Sequence, residues 1–202
     1  MYYKKNNLFI EKIRTQSITK KVSTPFYCYS YNQLKTNILS FKKNFSNINP
    51  LICFSVKSNN NLQILKVIKN FGLGADVVSK GELLRVLKAG INPNKIVFSG
   101  VGKTTSEIDF AIQKKILLIN AESENELKNI QKIAKKKNKI VNVGLRLNPN
   151  IDARTLKKIS TGRDEDKFGI SKKILIKLIN NYKNSSHINI KCLSVHIGSQ
   201  IL

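Results

Sequence analysis

Reactive side chains follow several short apolar runs of this sequence. Lys57 ends the run CFSV, Asp76 lies within GADVV, Arg146 lies within VGLRLNP, and His196 follows CLSV. A lysine at the end of a buried strand is costly unless it is paired or neutral, and loss of hydration favours the neutral, nucleophilic amine. This placement predicts that Lys57 forms a Schiff base, and the alternative is a lysine whose amine reaches solvent at the rim of the fold.

The elements that must position these side chains alternate in a regular order after residue 50. Apolar runs predict six strands, at 51–56, 74–79, 95–100, 116–121, 142–149 and 189–198. Amphipathic spacing predicts helices at 31–45, 61–71, 81–90, 106–115, 123–137 and 171–182. Helix starts are expected at Ser106 and Ser171 as N-caps, and at Ser123 with Glu126 as a capping box.

Strands that are apolar on both faces predict a parallel sheet covered by helices, either open or closed into a barrel. Polar residues follow the ends of many strands, including Ser79, Ser99 and Asn148. That distribution is typical of a (β/α)8 barrel, whose active site lies at the carboxyl ends of its strands. No strand is followed by the G-x-G-x-x-G turn of a dinucleotide site. A full barrel takes about 250 residues, so we expect an incomplete one here.

The first segment of the chain differs from the rest. Residues 1–24 predict extended segments of a second, β domain, whereas residues 25–202 predict the barrel domain, truncated at its C-terminal end. The N-terminus lacks the apolar core of a signal peptide, and no apolar run approaches the roughly 20 residues that cross a bilayer. A cytoplasmic protein without a membrane partner is therefore expected.

The net charge of +24 comes mainly from lysines spread along the whole chain. The one dense run, KIAKKKNKI at 132–140, falls at a predicted helix end, where lysines are favourable. No aromatic platform accompanies it, which argues against a nucleic-acid partner. A phosphate-bearing cofactor or an anionic substrate would gain from the positive field. The three cysteines form no C-x-x-C pair, so we expect buried thiols and no metal site.

Seven segments occur in a characteristic order: TPFYCYS, CFSVKSNNN, GADVVSKGEL, KIVFSGVGKT, RLNP, ISTGRDEDKFGI and HIGSQ. Together they resemble the fold type III pyridoxal-phosphate-dependent decarboxylases from about Thr24 to the end of the chain. The resemblance implies an α/β barrel of the alanine racemase and decarboxylase type, pyridoxal 5′-phosphate as cofactor, an amino-acid substrate and a homodimer at full length. ISTG with KFGI, followed by HIGSQ, is more similar to the branch that decarboxylates meso-2,6-diaminopimelate to L-lysine and CO2.

The resemblance also implies roles at single positions. Lys57 matches the lysine that binds the cofactor covalently, and His196 matches the histidine that stacks on its ring. Ser199 matches a residue near the cofactor phosphate, and Arg146 an arginine near the ring oxygen. Asp76 matches a carboxylate near this lysine and histidine.

Three further positions, Glu82, Lys167 and Phe168, match residues that shape the site or a subunit contact. From the residues alone, a strand-end cap is an equal alternative for Asp76, and a first-turn helix charge is one for Glu82. The family's glycine-rich phosphate loop, its acidic partner for the pyridine nitrogen and its C-terminal catalytic cysteine have no match here. The resemblance therefore implies that this chain alone is inactive.

Three other functions stay open at this point. A related decarboxylase of ornithine, arginine or carboxynorspermidine would share most of the segments. A small barrel that binds pyridoxal phosphate without turnover would share the early lysine, but the ISTG and HIGSQ segments argue against it. A basic nucleic-acid-binding protein would instead bind DNA in a salt-sensitive way.

Overall fold

The computed structural model describes residues 1–155, 160–163, 165–166 and 168–201. The chain divides into two compact units, residues 1–50 and residues 51–202. Each unit has its own set of strands and helices.

The first unit contains a small antiparallel sheet of three strands in the order β1-β2-β3. Its elements are β1 (Tyr2–Lys4), β2 (Asn7–Ile10), β3 (Ile13–Arg14), the short helix α1 (Thr15–Thr19) and the longer helix α2 (Tyr31–Asn44). Lys5 and Asn6 both have positive φ, which suits the two-residue hairpin between β1 and β2. The extended segments and the helix near 31–45 are confirmed, whereas α1 was not expected.

The second unit contains six parallel strands in the path β4-β5-β6-β7-β8-β10, and a short strand β9 pairs with β8. The strands are β4 (Cys53–Ser55), β5 (Gly74–Val77), β6 (Ile96–Phe98), β7 (Leu118–Ala121), β8 (Val141–Asn148), β9 (Ile170–Ser171) and β10 (Ile188–Val195). The helices are α3 (Leu62–Asn70), α4 (Lys80–Lys88), α5 (Thr105–Gln113), α6 (Glu124–Lys136) and α7 (Lys172–Tyr182).

The predicted alternation of strands and helices is thus confirmed. The apolar residues of the strands and the apolar face of each amphipathic helix pack together in one core. All four residues of β7 are buried, and α6 buries Leu127, Ile130, Ile133 and Ala134 on one face. Burying a leucine or isoleucine side chain stabilises a fold by about 1.5–3 kcal/mol. The parallel sheet with its helices is an incomplete α/β barrel, as expected, with β4 and β10 at the two ends of the described path.

The helix starts differ in part from the expectation. Ser106 does not cap α5. Thr104 does, in a capping box with Glu107, because the first residue of the helix is Thr105. The Ser123 hydroxyl accepts from Glu126 N, but the Glu126 carboxylate accepts from Glu122 N at 2.7 Å, so only half of that capping box forms.

Ser171 precedes α7 without making a side-chain cap hydrogen bond. The cysteines are free, but Cys28 is exposed, and Cys53 and Cys192 are only half-buried. The expectation of three buried thiols is therefore wrong, most plainly for Cys28, which lies outside any helix or strand. Within the described ranges, no helix is long and apolar enough to cross a membrane.

Candidate active site

A cavity of about 1050 Å³ lies at the carboxyl ends of the parallel strands. Residues that follow β4, β5, β6, β7, β8 and β10 line it, as a barrel active site requires. It brings together six residues predicted from the sequence: Lys57, Asp76, Arg146, Phe168, His196 and Ser199. Glu82 is not among its lining residues, and Lys167 lies outside the described residues.

Lys57 lies in a single 3-10 turn, Val56–Ser58, directly after β4. Val56 is fully buried and anchors the turn, and the Ser58 hydroxyl donates to Ser55 O at 2.7 Å. The Lys57 side chain is exposed to the cavity, and among the described residues its Nζ makes no hydrogen bond or salt bridge. The expectation that burial desolvates this lysine is wrong, because the turn lies at an end strand of the path. Its amine is accessible to a reacting carbonyl compound.

Asp76 is half-buried on β5, and its Oδ1 accepts a hydrogen bond from Ser99 Oγ at 2.5 Å. Burial raises the pKa of the Asp76 carboxyl, while the Ser99 hydrogen bond and the charges of Lys57 and His196 oppose that rise. On the neighbouring strand, burial and the negative charge of Asp76 raise the pKa of the Cys53 thiol to about 11. The thiol is therefore protonated at neutral pH and is not a nucleophile there.

His196 follows β10 and lies on the cavity wall. Its side chain is largely exposed, yet the surrounding protein still lowers the pKa of the imidazole by desolvation, and the positive charges of Arg146 and Lys57 lower it further. The ring is therefore neutral at pH 7. A neutral, flat imidazole beside an open cavity can stack on an aromatic ring.

Arg146 is buried on β8 and pairs with Glu122, which follows β7. Its Nη1 lies 2.9 and 2.8 Å from the two Glu122 carboxylate oxygens, and its Nη2 donates to the His196 carbonyl at 3.2 Å. The guanidinium also lies 4.8 Å from the centre of the Phe168 ring. Arg146 thus joins the ends of β7, β8 and β10 and fixes a positive charge in the cavity wall.

Lys103 forms a second buried cation beside this pair, on the loop after β6. Its Nζ donates to Glu126 Oε1 at 3.0 Å and to the carbonyls of Gly100 and Asn120 at 2.6 and 2.7 Å. Gly100 N in turn donates to Glu122 Oε1 at 3.0 Å. No role in the site was predicted for Lys103 or Glu122, and Glu126 was expected only to cap a helix. The one available indication was a lysine in the glycine-rich loop SGVGKT, which directly follows a buried strand.

Glu82 stabilises the start of α4. Its carboxylate accepts from Val78 N at 2.8 Å, and its own backbone N donates to Ser79 Oγ at 3.2 Å. This is the arrangement expected of a first-turn helix charge. A role for Glu82 in the cavity stays a prediction. Among the described residues, no cluster of His, Cys, Asp and Glu is arranged to hold a metal ion.

Comparison with known families assigns this fold and cavity to one class. Residues 31–202 match the family model described as the pyridoxal-binding domain of pyridoxal-dependent decarboxylases, and the chain belongs to that family. The family implies pyridoxal 5′-phosphate as the cofactor.

Individual relatives carry a more specific name. The diaminopimelate decarboxylase of Helicobacter pylori strain J99 is 44% identical over 187 residues, which cover 93% of this chain and 46% of the relative. The solved structure of a Helicobacter pylori diaminopimelate decarboxylase complexed with L-lysine superposes with a TM-score of 0.91 at 42% identity, over 93% of this chain and 48% of the other. The diaminopimelate decarboxylase of M. jannaschii with L-lysine gives 0.90 at 34% identity, over 98% and 47%. The chain thus spans about half the length of the relatives it matches.

The chemistry of the cavity fits the cofactor. An accessible amine at Lys57 can bind an aldehyde covalently, and the neutral His196 ring can stack on a pyridine ring. The buried cation of Arg146 suits an anionic ring oxygen, and the Ser199 hydroxyl can donate to a phosphate. Each group that the sequence predicted for the cofactor therefore reaches the same cavity.

Proposed function

We propose that this chain forms the cofactor-binding half of a diaminopimelate decarboxylase, which converts meso-2,6-diaminopimelate to L-lysine and CO2. One observation carries the proposal: a single cavity gathers the amine of Lys57, the carboxylate of Asp76, the guanidinium of Arg146 and the imidazole of His196. The identity of 44% to a diaminopimelate decarboxylase and the likeness to two such enzymes complexed with L-lysine support the substrate.

When bound, pyridoxal phosphate supplies an electron sink for the negative charge that remains on the α-carbon when CO2 leaves. Lys57 would hold the cofactor through its amine. His196 would hold the ring flat against the cavity wall, so that the bond that breaks is oriented relative to the ring. Ser199 would hold the phosphate.

Two charged side chains provide the electrostatics of the site. Arg146, already fixed by Glu122, presents a cation that needs no reorganisation when negative charge develops nearby. Asp76 presents a carboxylate whose charge acts on both Lys57 and His196. Charged side chains that the fold already holds in position stabilise a charged transition state more than water does, because water molecules must first reorient.

The direct test is decarboxylation by the complete protein that contains this chain. With meso-2,6-diaminopimelate and pyridoxal phosphate it should release CO2 and L-lysine, and Lys57→Ala should remove activity. Lys66→Ala, at a lysine exposed on α3, is the matched control and should keep it. Faster turnover of ornithine, arginine or carboxynorspermidine would move the protein to another branch of the family, and cofactor binding without any turnover would exclude an enzyme.

We also propose a cytoplasmic location, a homodimer at full length, and a domain boundary that assigns residues 1–24 to a β domain and 25–202 to the barrel. Three free cysteines without a disulfide suit a reducing compartment. The antiparallel strands β1 to β3 all lie before residue 15, which supports a separate β domain. The first compact unit of the chain ends at Pro50, and the family match begins at residue 31, so both of these boundaries fall later in the chain than the proposed one at residue 24. Sedimentation of the complete protein tests the dimer.

A further inference from the structure

A line of hydrogen bonds crosses three neighbouring strands of the sheet in the wall of the cavity. Asn120 Nδ2, at β7, donates to Ser99 Oγ at 3.0 Å, and Ser99 Oγ, after β6, lies 2.5 Å from Asp76 Oδ1 on β5. Because the amide nitrogen can only donate, the Ser99 oxygen accepts from Asn120 and its own proton is directed to Asp76. The hydroxyl therefore has one orientation, which a lone serine would not have.

The next strand leaves space for this arrangement. Asn120 pairs with Gly144 of β8, and a Cβ at position 144 would overlap Asn120 Oδ1. Asn120 is buried, and among the described residues its Oδ1 has no hydrogen-bond partner. A buried acceptor without a partner is unfavourable. The position of the Asn120 amide is therefore not explained by the hydrogen bonds of its oxygen, and the one described side-chain hydrogen bond of the amide is the one from Nδ2 to Ser99. Its nitrogen is directed to Ser99 at a cost to its oxygen.

We propose that Ser99, oriented by Asn120, is a positioning residue that holds the Asp76 carboxylate ionised and directed at Lys57 and His196. The proposal deepens the function proposed above and rests on it for its catalytic consequence. Ser99 acts through Asp76 and has no assigned contact with the substrate.

The surroundings of Asp76 show why such a donor is needed. Lys57 and Lys103 face the carboxyl with positive charge, whereas His196 faces it as an imidazole that is neutral at pH 7, and the Cys53 thiol on β4 is also neutral. Burial is the largest influence on the Asp76 pKa and raises it, and the Ser99 hydrogen bond is the largest influence that lowers it. A neutral carboxyl could not balance the charge of Lys57 beside the cofactor.

The test is a titration of Asp76 in protein labelled with ¹³C at its aspartate carboxyls, of which the chain has only five. In Ser99→Ala the Asp76 titration should move upward by roughly one pH unit, since a hydrogen bond to a charged group contributes about that much. Ser99→Thr, which keeps the hydroxyl, should restore the original titration. Asn120→Ala should shift it in the same direction by a smaller amount.

Ser30→Ala is the matched control, because the Ser30 hydroxyl also donates to a carboxylate, that of Glu11, at 2.7 Å. It should leave the Asp76 titration unchanged. In the complete enzyme, the acid limb of the pH profile of kcat/KM should move upward in Ser99→Ala and return in Ser99→Thr.

An Asp76 titration that is the same in Ser99→Ala as in the unaltered protein would overturn the proposal. So would an equal shift in Ser30→Ala. If Ser99→Ala fails to fold, Asn120→Ala decides alone, and an unmoved titration there is equally contrary. The titration needs neither substrate nor cofactor, so a protein that proves not to be a decarboxylase would leave its result intact.

Discussion

Arg146 and Glu122 form an ion pair in which both side chains are more than nine-tenths buried, with Nη1 2.8 Å from Oε2. The pair joins the ends of two neighbouring strands, and the same guanidinium donates to the carbonyl of His196 on a third. A buried pair of this kind is weak evidence for stability by itself, but removal of one partner leaves an uncompensated charge. The pair therefore holds the cavity wall together and also fixes the backbone of His196.

Glu122→Gln should destabilise the protein and weaken cofactor binding together. Loss of one partner from a buried pair costs about 3–5 kcal/mol, and Arg146 would lose the carboxylate that fixes it. The free energy of unfolding from urea titration, and pyridoxal phosphate affinity from absorbance, measure the two effects. Glu124→Gln is the control, because Glu124 pairs with Lys128 at the exposed surface of α6 and should change neither. Equal losses in both variants would contradict this role of Glu122.

Lys103 and Glu126 should be coupled in a double-mutant cycle. Lys103→Met leaves a carboxylate and two backbone carbonyls without their donor, and should cost about 3–5 kcal/mol of unfolding free energy. Lys103→Met with Glu126→Gln should cost less than the sum of the single changes, because the second change removes the unpaired charge. Additive losses in urea unfolding would show that the two side chains do not act as a pair.

Stability should fall in acid partly through His196. The pKa of its imidazole is lowered from 6.5 in the folded protein, chiefly by desolvation and then by the Arg146 charge. Between the folded and the unfolded pKa, the unfolded chain binds the proton and the folded one does not, so unfolding becomes easier as the pH falls below about 6.5.

His196→Gln should therefore flatten the dependence of unfolding free energy on pH between pH 7 and pH 5. The chain has one other histidine, His187, and His187→Gln serves as the control. The prediction fails if the two variants have the same slope, or if the slope in His196→Gln becomes steeper than in the unaltered protein.

The sequence predicted the fold well because its pattern is local. Short apolar runs separated by amphipathic helices specify a parallel α/β sheet. The carboxyl ends of parallel strands lie at the same edge of the sheet, and this is enough to bring Lys57, Asp76, Arg146 and His196 together. The N-cap at Ser106 was predicted wrongly, since a serine or threonine hydroxyl near a helix start can cap it and only the actual first turn, which begins at Thr105, shows that Thr104 does so.

What could not be predicted depends on contacts between distant side chains. Glu122 and Arg146 are 24 residues apart, and Lys103 and Glu126 are 23 apart. No periodicity marks such pairs, because they form only when neighbouring strands are in register. The exposure of Lys57 was missed for a related reason: the apolar run that precedes it indicates a buried strand but not a strand at the end of the path.

The central claim is that Lys57 is the residue that binds pyridoxal phosphate. The most direct test incubates the 202-residue chain with pyridoxal phosphate, reduces it with borohydride and locates the modified lysine by mass spectrometry. We predict stoichiometric modification at Lys57, no modification of comparable extent elsewhere, and no release of CO2 from meso-2,6-diaminopimelate by this chain alone. Modification spread over the many exposed lysines, with no preference for Lys57 and the same pattern in Lys57→Ala, would contradict the account.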